Sequence, residues 1–214
     1  MARTVGSEGG KTEAAIREAA LALIARHGFD AVTVRQIAAE VGVQAAALYR
    51  YFPTKEDLLF SLMLSHMETL IASWAQIRPD GGEPAERLAA FVAHHIAFHV
   101  ARRHSTQVSN LELRSLSRER LSQILRLRGT YEKELRQILR DGANSGSFAG
   151  GDVALTAMAL IQMITGVVVW FRPDKRLSVA EVTATYVAMA MRLVDATGYR
   201  EENNVRERAG LRPG

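Results

Sequence analysis

Apolar positions recur at three- and four-residue intervals along almost the whole chain, and no stretch alternates apolar and polar as a half-buried strand does. The pattern predicts an all-α fold of about nine helices. The first, over about Lys11 to His27, places Ile16, Ala20, Leu23, Ile24 and His27 on one face. Gly28 signals its C-cap, with Phe29 as an apolar clasp. Thr33-x-x-Gln36 is a capping box that opens a second helix, and Gly42 ends it. A third covers about Gln44 to Tyr51 and stops at Pro53. Thr54, with Asp57 at the box position, opens a fourth that runs to about Ile77. Arg78-Pro-Asp-Gly-Gly-Glu-Pro84 is turn chemistry. A fifth helix follows to about Ala101. A less regular helical segment then covers about Thr106 to Leu116, and a long helix about Arg118 to Ala143. The eighth helix spans about Asp152 to Phe171 and the ninth about Val179 to Thr197. Met1 to Gly10 is polar and Gly-rich and reads as a flexible arm. The residues from Gly198 on read as a frayed tail.

The eighth helix holds nineteen residues, Val153 to Phe171, without a charge. That is close to the ~20 apolar residues that cross a bilayer. Thr156, Gln162, Thr165 and Gly166 interrupt it, and no second such segment is expected. The reading is a helix buried in a core or a dimer interface, with no membrane partner.

Composition narrows the classes. The chain has 214 residues, 48% of them hydrophobic, and no cysteine. A disulfide framework, a thiolate metal site and a cysteine nucleophile are therefore excluded. No apolar run precedes a small-residue cleavage site at the N-terminus, which points to a cytoplasmic location. The net charge is +4, yet residues 1–57 carry seven basic and seven acidic side chains. Nucleic-acid binding must therefore be argued from a motif rather than from bulk charge.

That motif is Thr33-Val-Arg-Gln-Ile-Ala-Ala-Glu-Val-Gly-Val-Gln-Ala-Ala-Ala-Leu-Tyr-Arg-Tyr-Phe52. Ile37, Ala38 and Val41 point inward from its first helix. Gly42 permits the tight turn and Val43 plugs the corner. Leu48 and Phe52 face the core at i, i+4. Two helices joined by a short turn make a helix-turn-helix. Its second helix leaves Gln44, Ala45, Tyr49 and Arg50 to face a major groove.

On these residues the chain resembles the TetR/AcrR family of repressors. The matching positions are Thr33-Val34-Arg35-x-Ile37-Ala38, Gly42-Val43 and Leu48-Tyr49-x-Tyr51-Phe52-x-x-Lys55-Glu56-x-Leu58. The resemblance implies phosphate contacts for Thr33 and Arg35, and base contacts for Gln44, Ala45 and Arg50. Tyr49 and Tyr51 would lie near the DNA backbone. Lys55, at the N-terminus of the fourth helix, would bind phosphate with help from the helix dipole. Family members often carry Ser, Gly and Thr where this chain has Gln44, Ala46 and Ala47. Alanines offer bases no hydrogen bonds and can touch only thymine methyls, so base reading falls on Gln44 and Arg50.

The organisation expected is an arm and helix-turn-helix domain over 1–53, an effector-binding and dimerisation domain over 54–198, and a tail over 199–214. The eighth and ninth helices are apolar nearly all round. Ala157, Gly166, Ala184 and Ala188 allow close approach, which suits a four-helix homodimer interface. Effector candidates mix aromatic, Met and polar character: Met63, Met67, Phe91, His95, Phe98, Tyr131, Met158, Gln162 and Trp170, with Arg126 from the Arg-rich long helix. His95 and His99 stand at i, i+4 beside His94, a spacing that can hold a metal. No third ligand is placed by the sequence, so no metal or cofactor is expected. Trp170-Phe-Arg-Pro173 resembles a branch of the family that responds to acyl-CoA thioesters, and guanidinium groups suit phosphate. The expected partners are double-stranded operator DNA, a small hydrophobic effector such as an acyl-CoA, and a second copy of the chain. The competing classes are a helical enzyme that processes acyl-CoA and a scaffold protein. No GxSxG elbow, P-loop, dinucleotide turn or HExxH supports an enzyme.

Overall fold

The computed structural model describes residues 5–196. The frayed tail expected from Gly198 lies outside them. Among the described residues every regular element is a helix: α1 (Val5–His27), α2 (Val34–Val41), α3 (Ala45–Tyr49), α4 (Lys55–Ile77), α5 (Pro84–Ala101), α6 (Arg103–Leu111), a 3₁₀ turn (Leu113–Ser115), α7 (Arg118–Asn144), α8 (Val153–Thr165), α9 (Val167–Trp170) and α10 (Val179–Leu193). They form two compact units. The residues up to Leu70 combine with Arg102–Arg128, and Ile71–Ala101 combine with the residues from Gly129 onward.

The first unit has a core of Ile16, Ala20 and Ile24 from α1, Ile37 and Ala38 from α2, Leu48 from α3 and Leu58, Leu59 and Met63 from α4. The local signals explain why these elements form. Thr33 accepts from the Gln36 N–H while the Gln36 side chain accepts from Thr33, which satisfies two N-terminal donors of α2. Gly42 ends α2 at φ 73°, a left-handed conformation that favours glycine. The Val43 N–H then closes onto the Ala38 carbonyl at 2.9 Å, which sets the turn into α3. α6 packs on α1 in the same unit. In the second unit α10, α8 and α9 pack on α5. Its core includes Leu88, Phe91, Val92 and Ile96 with Leu135, Leu160, Ile164, Val182 and Met191.

Several boundaries depart from the periodicity reading. α1 begins at Val5, so half of the expected flexible arm is helical. Once a docked segment has nucleated, each added residue gains one hydrogen bond, which offsets the weak propensity of Gly9 and Gly10. His27, expected on the buried face, is exposed, and Ala19 is buried instead. The irregular segment is a regular helix that starts at Arg103. The eighth predicted helix is two pieces, because Gly166 lowers helix propensity and Val169 bonds back only three residues to it, at 3.1 Å. A second helix, α4, joins the Val153–Trp170 stretch in being long and apolar enough to cross a membrane. Seven of its large apolar side chains are buried: Leu58, Leu59, Leu62, Met63, Met67, Leu70 and Trp74.

Candidate functional site

The exposed side of α2 and α3 is one surface of chemistry. Gln44, the N-cap residue of α3, makes no capping bond with its side chain and is exposed, as are Ala46, Tyr49 and Arg50. Ala45 and Tyr49, and likewise Ala46 and Arg50, are four residues apart and neighbour one another along the helix. Leu48 is buried and so is Phe52 just beyond, so the face is held by its own underside. Thr33 and Arg35 are exposed at the N-terminus of α2, whose first turn has no acidic residue. An arginine there adds its charge to the positive end of the helix dipole, which is unfavourable alone and suited to a phosphate.

Lys55 stands elsewhere. Its Nζ donates to the carbonyls of Phe29 at 2.8 Å and Val32 at 2.9 Å, and lies 4.0 Å from the Phe29 ring centre. Two of its three donors therefore tie α4 to the turn between α1 and α2. Tyr51 is half-buried, and its hydroxyl lies 3.8 Å from where a Cβ on Gly9 of α1 would stand.

Three carboxylates secure this headpiece to α6 and α7. Glu112 accepts from the Phe29 N–H at 3.1 Å and from the Ser115 hydroxyl at 3.2 Å. Glu56 accepts from the Ser117 N–H at 2.8 Å and pairs with Arg120 at 3.5 Å. Asp57 caps α4 with Thr54 and pairs with Arg120 as well. The Ser117 backbone bond holds Glu56 below the usual carboxylate range, and Arg120 adds to it. The Thr54 bond, with Arg120 again, does the same for Asp57.

The second unit holds a buried aromatic and histidine cluster. Phe91 stacks on Tyr131 at 4.9 Å between ring centres and meets the edge of Trp74 at 5.1 Å. His95 stacks on His99 at 4.0 Å, and His95 Nε2 is 2.9 Å from the Thr165 hydroxyl. His99 donates its Nδ1–H to the His95 carbonyl at 2.7 Å. His94 contacts the Ser73 hydroxyl at 2.9 Å and the Tyr131 hydroxyl at 3.4 Å. Burial pushes the Tyr131 phenol far above its usual range, so it keeps its proton. Face-to-face stacking of His95 and His99 is not the geometry of a shared metal. Among the described residues no three His, Cys, Asp or Glu converge on one point.

The sequence matches the profile of "Bacterial regulatory proteins, tetR family" over residues 16–62 and that of "Tetracyclin repressor-like, C-terminal domain" over residues 81–194. The chain belongs to the tetR family of bacterial regulatory proteins. Its relatives include the fatty acid metabolism regulator protein of Bacillus subtilis, 29% identical over 75% of this chain and 84% of that protein. A tetR-family regulatory protein from Rhodococcus RHA1 superposes with a TM-score of 0.83 at 30% identity, over 87% of this chain and 98% of its own. AibR, solved in complex with isovaleryl coenzyme A and operator DNA, superposes at 0.75 with 27% identity, over 83% and 97%.

The resemblance read from Thr33 to Leu58 is thereby sound, and so is the all-α architecture with an N-terminal DNA-binding helix-turn-helix. In this tetR-family member Thr33, Arg35, Gln44, Tyr49 and Arg50 are exposed on the headpiece, with Ala45 half-buried among them. Phe91, His95, Phe98 and Tyr131 come together in the second unit's cluster, whereas Met63 is buried in the first unit's core, as is Met67. Met158, Gln162 and Trp170 are exposed on α8 and α9. Arg126 is exposed on α7 and bonds to Ser122 at 2.8 Å. The sequence reading missed Glu112 and Ser117 and did not foresee the pairing of Arg120 with Glu56 and Asp57. Only the Thr54–Asp57 box hinted at this network, because the other partners lie 61 to 83 residues apart.

Proposed function

We propose that the chain is a cytoplasmic, ligand-responsive transcriptional repressor. It binds a palindromic operator as a homodimer and is released by a small hydrophobic effector, an acyl-CoA. The observation that carries this reading is the exposed Gln44–Arg50 face, set on a headpiece whose turn and α4 N-terminus are held by Glu112, Glu56 and Asp57 to α6 and α7. A change in the position of α6 must reach the recognition helix through those bonds. The effector class is supported by the relatives: one is named for fatty acid metabolism and another was solved with isovaleryl coenzyme A and operator DNA. Phe91, His95, Phe98 and Tyr131 offer an apolar wall with a few polar groups, the usual make-up of a small-molecule site.

Dimerisation through α8 and α10 is supported by their surface. Leu155, Met158, Val169 and Trp170 are exposed on α8 and α9, with Met189 and Leu193 on α10. Where side chains of this kind join into one patch, it is rarely left to water. Two copies would present their recognition helices about 34 Å apart, or a multiple of that, to a palindrome. Effector and operator then compete through linkage, with a coupling free energy of about 1–3 kcal/mol.

The test is fluorescence anisotropy on the DNA upstream of the protein's own gene, titrated with acyl-CoAs of graded chain length and the matching free acids. Salt-sensitive binding released by one acyl-CoA is expected. Binding that no thioester releases would keep the regulator and discard the effector. Steady hydrolysis of the thioester by the protein would instead make it an enzyme.

A further inference from the structure

The end of α4, the turn after it, the start of α5 and the second half of α7 line a cavity of 260 Å³ that lies within the second unit. Trp74 and Ile138, both buried, contribute its apolar surface. Arg87 and Glu134 line it half-buried, and Arg78 and Asp80 line it from exposed positions. The side chain of Arg87 keeps 23% of its surface open and that of Glu134 36%, so both can be reached from solvent. Their polar atoms are only partly used. Glu134 Oε2 accepts from the Trp74 indole N–H at 3.2 Å and from Arg78 Nη1 at 2.8 Å, whereas Oε1 accepts from nothing among the described residues. Arg87 gives Nη1 to Asp141 at 2.7 Å, and its Nε–Nη2 edge is unengaged among the same residues. Asp80 has neither a hydrogen bond nor an ion pair among them.

The unengaged groups are of two kinds. The Asp80 carboxylate and Glu134 Oε1 are acceptors that suit a cationic N–H donor. The Nε–Nη2 edge of Arg87 is a two-donor fork that suits a carboxylate. Because both kinds line one cavity of 260 Å³, a single small molecule can engage both. That volume is below the roughly 300–1,000 Å³ of drug-sized ligand sites, so the cavity admits a molecule of single-amino-acid size and not a coenzyme. We infer that it binds a free α-amino acid with an apolar side chain. The ammonium lies with Asp80 and Glu134 Oε1, the carboxylate on the Arg87 edge, and the side chain against Trp74 and Ile138. A simple acid would meet Asp80 with a like charge, and a simple amine would leave the Arg87 edge unused. Arg87 is already held by Asp141, which fixes the plane of its fork in advance and lowers the entropy lost on binding. The bound molecule would bridge the turn after α4 to α7. Trp74 also meets the edge of Phe91 at 5.1 Å, so occupancy reaches the aromatic cluster through that contact. The inference adds a second, polar ligand to the acyl-CoA reading and does not rest on it.

The experiment is thermal unfolding of the full-length protein with L-leucine, L-methionine or L-phenylalanine, each beside its N-acetyl derivative and its amide. With at least one free amino acid a saturable rise in Tm is expected, roughly 3–6 °C at about ten times the Kd. The N-acetyl derivative lacks the ammonium and the amide lacks the carboxylate, so each should require about tenfold more ligand or fail altogether. Asp80→Asn should leave the Tm without ligand unchanged, since Asp80 has no partner to lose, and should abolish the rise. The same variant controls for general stabilisation by an additive excluded from the surface. Arg87→Lys keeps a cation for Asp141 but loses the fork, and its half-saturating concentration should rise about tenfold. Trp74 fluorescence, read in Trp170→Phe where it is the sole tryptophan, should change over the same concentration range. No rise with any of these amino acids up to about 10 mM, ten times a Kd of about 1 mM, overturns the inference. An equal rise with the acetylated or amidated forms overturns it too, as does a rise that persists in Asp80→Asn. The acyl-CoA reading fails separately, when no thioester releases operator DNA whatever the amino acids do.

Discussion

Lys55 Nζ donates to the Phe29 carbonyl at 2.8 Å and sits 4.0 Å from the centre of the same residue's ring. One side chain thus clamps the start of α4 to the turn after α1, through a charge-assisted bond and a cation–π contact. Lys55→Met should destabilise the protein by about 1–2 kcal/mol, since it leaves the Phe29 and Val32 carbonyls without this donor. Operator affinity would fall evenly for all sequences. The salt dependence distinguishes clamp from phosphate contact. A lost phosphate contact lowers the slope of log affinity against log salt by about 0.9, whereas a lost clamp leaves it unchanged. The expected result is an unchanged slope, measured by anisotropy from low to high salt.

Arg120 joins α7 to two carboxylates at the start of α4, and both are held below their usual range. A carboxyl group whose folded pKa is depressed contributes stability above its unfolded value, and that contribution disappears as pH falls through the folded one. Stability should therefore be flat in these two groups from pH 7 to about 5. It should decline below the ordinary values of 4.5 for Glu56 and 3.8 for Asp57. Both side chains are a quarter to a third exposed, so solvent screening keeps the effect modest. Glu56→Gln should flatten the acid limb in urea unfolding curves recorded from pH 7 to 3. An acid limb identical to that of the wild type would remove Glu56 from the latch.

The recognition surface gives a sharper contrast. In the proposed operator complex Thr33 and Tyr49 border phosphates, while Gln44 and Arg50 flank α3, whose first three residues are alanines. Gln44→Ala and Arg50→Ala should each cost about 1–3 kcal/mol on the best operator and relax preference at one or two base pairs. Thr33→Val and Tyr49→Phe should weaken every sequence alike. Selection from a randomised half-site measures both. Arg50→Ala with unchanged affinity and preference would place the reading residues elsewhere.

Local signals made the headpiece legible. The Thr33–Gln36 box, the left-handed Gly42 and the Leu48–Phe52 pair are all decided within a few residues, so sequence spacing suffices. Glu112 and Arg120 were not legible, because nothing near them in the chain announces partners at Phe29 and Asp57. The break at Gly166 was hidden by an apolar run that gives one period to both pieces. His27 was misplaced because a face read from spacing says nothing about where the core stops. The mixture of Met and aromatic residues chosen for an effector site spread over both units, since such residues fill any core as readily as they line a pocket.

Gly142 presents a purely steric constraint that composition gave no reason to suspect. A Cβ built on it falls inside the Phe148 ring, and the Phe148 N–H bonds back to the Gly142 carbonyl at 3.0 Å. Phe148 is itself buried, and Ala149 beside it bonds to the Val194 carbonyl at 2.9 Å, so the ring has little room to retreat. Gly142→Ala should therefore destabilise the second unit by about 1–3 kcal/mol despite alanine's better helix propensity. Gly129, in the same helix with open space around its Cβ position, is the control: Gly129→Ala should be neutral or stabilising. Chemical unfolding of the two variants beside the wild type decides it, and equal effects would mean that the Phe148 ring is free to move aside.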